Sequence, residues 1–316
     1  MALPTRATQL LLENPDSDQK SLPHLPNELL LMITNYLDFK SQMHVRNVAH
    51  HLRDIVDHLA KPPINEIKCE FFKDESSNVS AKIKYSAGGF ITRTNFHKKY
   101  DLNSAIDHLG ILLKNRRLQL SIFYWKNTVS TEIDRQLLNI TNSLNHRLFI
   151  NYLDASLAGD MMVDFVKVTR PGILNQIFQI ETVEPINLDR LVQLRQFKSA
   201  KKVDFSGIIP DFSRHARHFL HFDEVFVKAE KISMEAVLAL KEFFTRSDQC
   251  ARFSIDERIE PSNLELEAAL APSNYQLSEE DAWHRGDDGY RAYAIPDSND
   301  YLDVVFVDNW LTFERC

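Results

Sequence analysis

Glycine is scarce, at 8 of 316 residues. None forms GxGxxG, GxxxxGKS/T or GxSxG, so the common backbone cradles for phosphate and the strained nucleophile elbow are missing. Cysteine is sparser still. Cys69, Cys250 and Cys316 are far apart, odd in number and without CxxC spacing, which excludes a disulfide framework and suits reduced thiols in the cytoplasm, or in the nucleus. Positive charge is not in excess either. The formal charge of -7 supplies no global field to neutralise phosphate, so a nucleic-acid partner is not expected. No apolar run approaches the ~20 residues of a membrane span. The stretch Met1–Asn14, whose Leu10–Leu12 triplet is cut by Glu13, falls short of a secretory signal, and no membrane partner is expected. What remains is 44% hydrophobic and 26% charged residues, the balance of a globular chain of about two domains at ~150 residues each.

Residues 1–21 lack periodicity and read as a flexible leader. From Leu25 the pattern turns helical. Pro26 suits a first turn, and Leu29, Leu30, Ile33, Tyr36 and Leu37 follow at helical spacing. After Asp38–Lys40, Ser41 is the expected N-cap of a second helix carrying Val45, Val48, Ala49, Leu52, Ile55, Val56 and Leu59 up to Pro62 and Pro63. Segments 65–72, 79–85 and 90–96 read as a small antiparallel sheet. Strand-like runs then begin near Leu118, Leu148, Leu174, Lys202, Glu224 and Ala251, at intervals of 30, 26, 28, 22 and 27 residues with a helical stripe in each gap. One strand and one helix per repeat requires parallel strands with crossovers, stacked as an α/β solenoid. The expected architecture resembles a leucine-rich-repeat horseshoe, without the LxxLxLxxN signature. Beyond an acidic loop at Glu279–Asp288, the alternating runs Tyr290–Ile295, Tyr301–Val307 and Trp310–Glu314 predict a terminal β-hairpin that caps the sheet edge.

The opening Leu25-Pro26-Asn27-Glu28-Leu29-Leu30, the helix end Tyr36-Leu37-Asp38 and the second-helix run Val45-Arg46-Asn47-Val48 together resemble an F-box over residues 22–63. The region 64–316 is similar to the FTH domain of nematode F-box proteins of the F-box A type, whose closing motif reads here Tyr293-Ala294-Ile295-Pro296-Asp297-Ser298-Asn299-Asp300-Tyr301-Leu302. The resemblance implies a non-enzymatic substrate receptor. Its F-box would dock on a Skp-type adaptor, and through it a cullin, while the repeat domain holds a target protein for ubiquitination. Two helices of this length cannot bury both faces of their apolar stripe, so Leu25, Pro26, Leu29, Leu30, Ile33, Leu37, Val45, Val48 and Leu52 are the expected adaptor-binding residues. An interaction scaffold without a ligase role is the alternative reading.

No metal or cofactor is expected. His215, His218 and His221 sit three apart but lack Cys or carboxylate companions at matching spacing. Glu279, Glu280, Asp281, Asp287 and Asp288 lack the alternation and glycine of a calcium loop. Cys250 has no assignable His and carboxylate pair, so a structural thiol is the default. Strand alternation supplies a substrate surface. With Ile122, Ile150, Val203, Val225, Val227, Phe253 and Ile255 toward the helices, Phe123, Trp125, Asn151, Gln179, Asp204, Phe226, Lys228, Ser254 and Asp256 face the other way.

Overall fold

In the computed structural model the chain divides between Pro63 and Ile64 into two compact units. The residues described are 22–73, 78–87, 94–157, 159–179, 187–210, 212–246, 251–256, 290–295, 300–307 and 310–316, with 75, 265, 266, 270 and 298. The leader, Cys250 and the acidic run Glu279–Asp288 lie outside them.

The first unit is helical. A 3-10 turn at Leu22–His24 precedes α1 (Asn27–Tyr36), α2 (Phe39–Arg46) and α3 (His50–Asp54), which runs on as a π-helical turn at Ile55–Leu59. The second helix is not capped by Ser41. The Asp38 carboxylate accepts the Ser41 backbone N–H at 2.7 Å, so the helix starts at Phe39. That hydrogen bond also holds the Asp38 carboxyl below its ordinary range. The expected continuous helix to Leu59 is broken where Ala49 takes an extended conformation (φ -156°, ψ 153°). Leu30, Leu52 and Ile55 form the core, with Leu25, Leu31, Val45 and Ala49 packed against it. Buried Gln42 donates its side-chain amide to the Thr34 carbonyl at 2.9 Å, tying α2 to the end of α1.

The second unit mixes helix and strand around one large sheet. Its described elements are β1 (Glu66–Lys73), β2 (Val79–Ala87), β3 (Thr94–Asp101), α4 (Leu102–Lys114), β4 (Gln119–Asn127), α5 (Thr131–Asn142), β5 (Phe149–Ala155), α6 (Gly159–Val168), β6 (Gln176–Gln179), α7 (Leu188–Leu191), α8 (Arg195–Ser199), β7 (Lys202–Ile209), α9 (Phe212–His215), β8 (Glu224–Ala229), α10 (Met234–Arg246), β9 (Arg252–Asp256), β10 (Tyr290–Ala294), β11 (Tyr301–Val307) and β12 (Trp310–Arg315). The twelve described strands are ordered β10-β11-β12-β9-β8-β7-β6-β5-β4-β1-β2-β3. Strands β4 to β9 are parallel neighbours in chain order. The antiparallel trio β1–β3 is not a separate small sheet, because β1 pairs in parallel with β4. At the other end β10, β11 and β12 form the expected antiparallel hairpin run, and β12 pairs with β9.

One face of the sheet is dry. Ring contacts between helix and strand fall on it: Phe165 with Phe123, Phe219 with Phe205, Phe212 with Phe253 and Phe244 with Phe313. Each repeat reaches this face by the same device. Buried residues recur as Ile64-x-x-Ile67, Leu120-x-x-Phe123, Ile150-x-x-Leu153, Leu174-x-x-Ile177, Ala200-x-x-Val203 and Phe222-x-x-Val225. The two intervening residues form an irregular step. Successive N–H groups converge on one carbonyl of the preceding strand entry: Ser121 and Ile122 on Asn65, Lys201 and Lys202 on Asn175, Asp223 and Glu224 on Lys201, and Ala251 and Arg252 on Asp223. An extra residue in a strand reverses which side chains face the core.

Candidate functional site

In the first unit, Leu30 and Leu52 are not on a docking surface. They are 1% and 0% exposed, because the unit closes its own small core around them. Leu25, Ile33, Leu37 and Val45 are half-buried, and Pro26 is exposed. Of the expected adaptor residues, Leu29 (42%) and Val48 (64%) are exposed large apolar side chains, joined by Met32 (46%) and Tyr36 (80%) from outside that set. Leu29, Met32 and Tyr36 stand at i, i+3 and i+7, so they share one face of α1. The signal for this face was in the sequence: Leu29-Leu30-Leu31-Met32-Ile33 is apolar all round, more than a single inward stripe requires.

In the second unit the expected surface is half corrected. Phe123 and Trp125 are both 0% exposed and face the helices, because the irregular step at Ser121–Ile122 shifts the alternation by one. Trp125 donates its indole N–H to Asp134 on α5 at 2.7 Å, and Asn127 donates its amide to the same oxygen at 2.9 Å. Ile122 is correspondingly half-exposed. Ser254 is also buried, at 4% exposure, and accepts from the Thr312 hydroxyl at 3.1 Å. Asn151 lies in the matching step of β5, half-buried, and its side-chain oxygen accepts from Asn175 at 2.6 Å. Asp204, Phe226, Lys228 and Asp256 lie half-buried on the face opposite the helices. Gln179 closes β6, but its side chain is outside the described set.

Correcting the parity brings four further residues to this face: Tyr124, Tyr152, Asp154 and Phe178. Backbone register aligns Tyr124, Asp154, Phe178, Asp204 and Phe226 across β4 to β8. Aromatic and acidic side chains alternate along that row. Tyr152 stacks on Phe178 at 4.8 Å, and Phe226 lies 5.3 Å from Trp310. Burial, then the facing Asp154, push the Asp204 carboxyl up to about 6 against the pull of Lys228. Burial likewise raises Asp154, opposed by Lys68. Tyr152 is pushed up to about 12 by burial and by these two carboxylates.

Among the described residues no three His, Cys, Asp or Glu side chains gather as metal ligands. His215 is buried, 3.7 Å from Asp189, whereas His221 meets the Phe197 carbonyl at 3.0 Å. No helix of the described residues is long and apolar enough to cross a membrane.

Comparison with known families gives two matches, the F-box domain over residues 22–62 and the FTH domain over residues 131–269. No curated protein and no solved structure matches the chain. F-box domains as a class bind Skp-type adaptors and thereby join cullin complexes. The F-box match thus falls within the helical unit, and the FTH match follows it within the sheet-bearing unit.

Proposed function

We propose that this protein is the substrate receptor of a Skp, cullin and F-box ubiquitin ligase, working in the cytoplasm or nucleus without bond chemistry of its own. One observation carries the reading: the F-box unit completes a core and still leaves Leu29, Met32 and Tyr36 exposed along one helix face. A contiguous exposed apolar stripe marks a partner site, and an amphipathic helix offered this way suits a grooved helical adaptor. The second unit then holds the target. Its contribution is proximity, which raises the effective concentration of a target lysine beside the ubiquitin donor. The solenoid reading of this unit is supported by parallel strands in chain order and by the Φ-x-x-Φ step (Φ apolar) repeated at successive strand entries.

The test is co-purification with a Skp-type adaptor. Wild type should form a stable complex, and a Leu29→Asp, Tyr36→Asp variant of unchanged helicity should lose it. Equal capture of both chains, or of neither, would overturn the ligase assignment.

A further inference from the structure

We infer that the open face of the sheet recognises an arginine side chain of the target protein, laid over Phe178 between Asp154 and Asp204. This deepens the substrate-receptor reading and rests on it.

Strand order and register place the site. Asp154 and Asp204 stand on β5 and β7, two strands apart, in register with Phe178 on the strand between them. Adjacent strands are ~4.8 Å apart, so the two carboxylates flank the ring at roughly 10 Å separation at the backbone. Tyr124 and Phe226 extend the row on either side, and Tyr152 stacks against Phe178. The site is therefore an aromatic floor with an acid at each side.

Several charges on this face are paired with one another. Lys228 lies 3.7 Å from Asp256, Lys202 bonds Glu224, and Lys84 lies 3.7 Å from Glu70. Among the described residues Asp154 and Asp204 have neither an ion pair nor a hydrogen bond, and Oδ1 of Asp204 is buried with no partner. Lys68 and Lys228 act on the pair only as nearby charges.

Carboxylates half-withdrawn from water and left unpaired cost a fold stability. A cation arriving with a target would recover that cost. Arginine fits better than lysine, because its planar guanidinium stacks on an aromatic face while its edges donate to carboxylates on both sides. A phosphorylated or acidic target segment is disfavoured by the same two groups.

Fluorescence anisotropy on the full chain tests the inference, with labelled Arg-Gly, Lys-Gly and Glu-Gly repeat peptides of equal length as probes. The arginine peptide should bind best. Asp154→Asn with Asp204→Asn should weaken it by ~10-fold or more, the scale of losing charged hydrogen-bond partners. A control neutralising two exposed helix carboxylates, Glu132→Gln with Glu242→Gln, corrects for net charge and should leave binding within ~2-fold, as expected of screened surface charges. Equal binding of the arginine and glutamate peptides, or equal losses in the two double variants, would overturn the site. Preference for the lysine peptide would overturn the assignment to arginine. Adaptor co-purification by the same variants reports separately on the ligase reading, so failure of one is distinguishable from failure of the other.

Discussion

Trp125 and Asp134 join β4 to α5 through a 2.7 Å hydrogen bond inside the core. The indole N–H would otherwise be a buried unsatisfied donor, and the carboxylate would lose one of the two donors that offset its burial. Trp125 is therefore a structural residue of the helix-facing layer.

Trp125→Phe should cost about 1–3 kcal/mol in urea unfolding, as removal of one partner of a buried pair does. Asp134→Asn, which keeps an acceptor oxygen, should cost less. The Asp134 carboxyl, already raised by burial and pulled back by Trp125 and Asn127, should titrate higher still in Trp125→Phe. An unchanged midpoint would mean that the bond does not persist in solution.

In the helical unit, burial separates core residues from surface residues. Leu30→Ala or Leu52→Ala should destabilise by about 2–5 kcal/mol, because each leaves a cavity in a small core. Met32→Ala and Val48→Ala should shift stability by less than about 0.5 kcal/mol. Thermal melts of the four variants would check this ordering.

Asp204 should make stability depend on pH in a defined direction. Its folded carboxyl, pushed up to about 6, holds its proton more tightly than in the unfolded chain, where the value is about 3.9. Its contribution is absent below the unfolded value, grows unfavourable as pH rises through that window, and is complete above about 6. Asp204→Asn should thus melt higher than wild type at pH 7, by about 1 kcal/mol once solvent screening at this half-exposed group is allowed for, and equally at pH 3.5. A difference independent of pH would show that the carboxylate is fully solvated.

The strand-entry step makes its own prediction. Asn175 donates its side chain to Asn151, and its carbonyl receives the N–H groups of Lys201 and Lys202. Asn175→Ala should cost about 1 kcal/mol, with amide exchange quickening at Asn151 and Lys201 before the rest of β5 to β7. Uniform exchange would show that the step is not locally held.

Periodicity in the sequence specified much of this protein. Alternating strand and helix stripes from Leu118 onward implied a parallel sheet, and the β5 to β9 entries fall within a few residues of where those stripes start. The terminal hairpin run was legible from alternation, and the F-box from its short helices and their Leu-Pro opening. Parity was not legible in β4, β5 or β6. Reading Leu118–Trp125 as one regular strand placed Ile122 inward and Phe123 and Trp125 outward, whereas the paired N–H groups of Ser121 and Ile122 on the Asn65 carbonyl insert one residue and reverse the order. In β7 to β9 the same step falls at the first residue of the strand, so Asp204, Phe226, Lys228 and Asp256 kept their expected face.

Which apolar residues of the first unit are spare was also beyond the pattern, since Leu29 and Leu30 are identical in type. Local composition dictates helix, strand and amphipathic period, because these depend on neighbours a few residues apart. The row of Tyr124, Asp154, Phe178, Asp204 and Phe226 depends instead on strand order and register, which bring together side chains more than 20 residues apart in the chain. Packing alone decides that juxtaposition, because backbone hydrogen bonds between strands carry no record of the side chains they align.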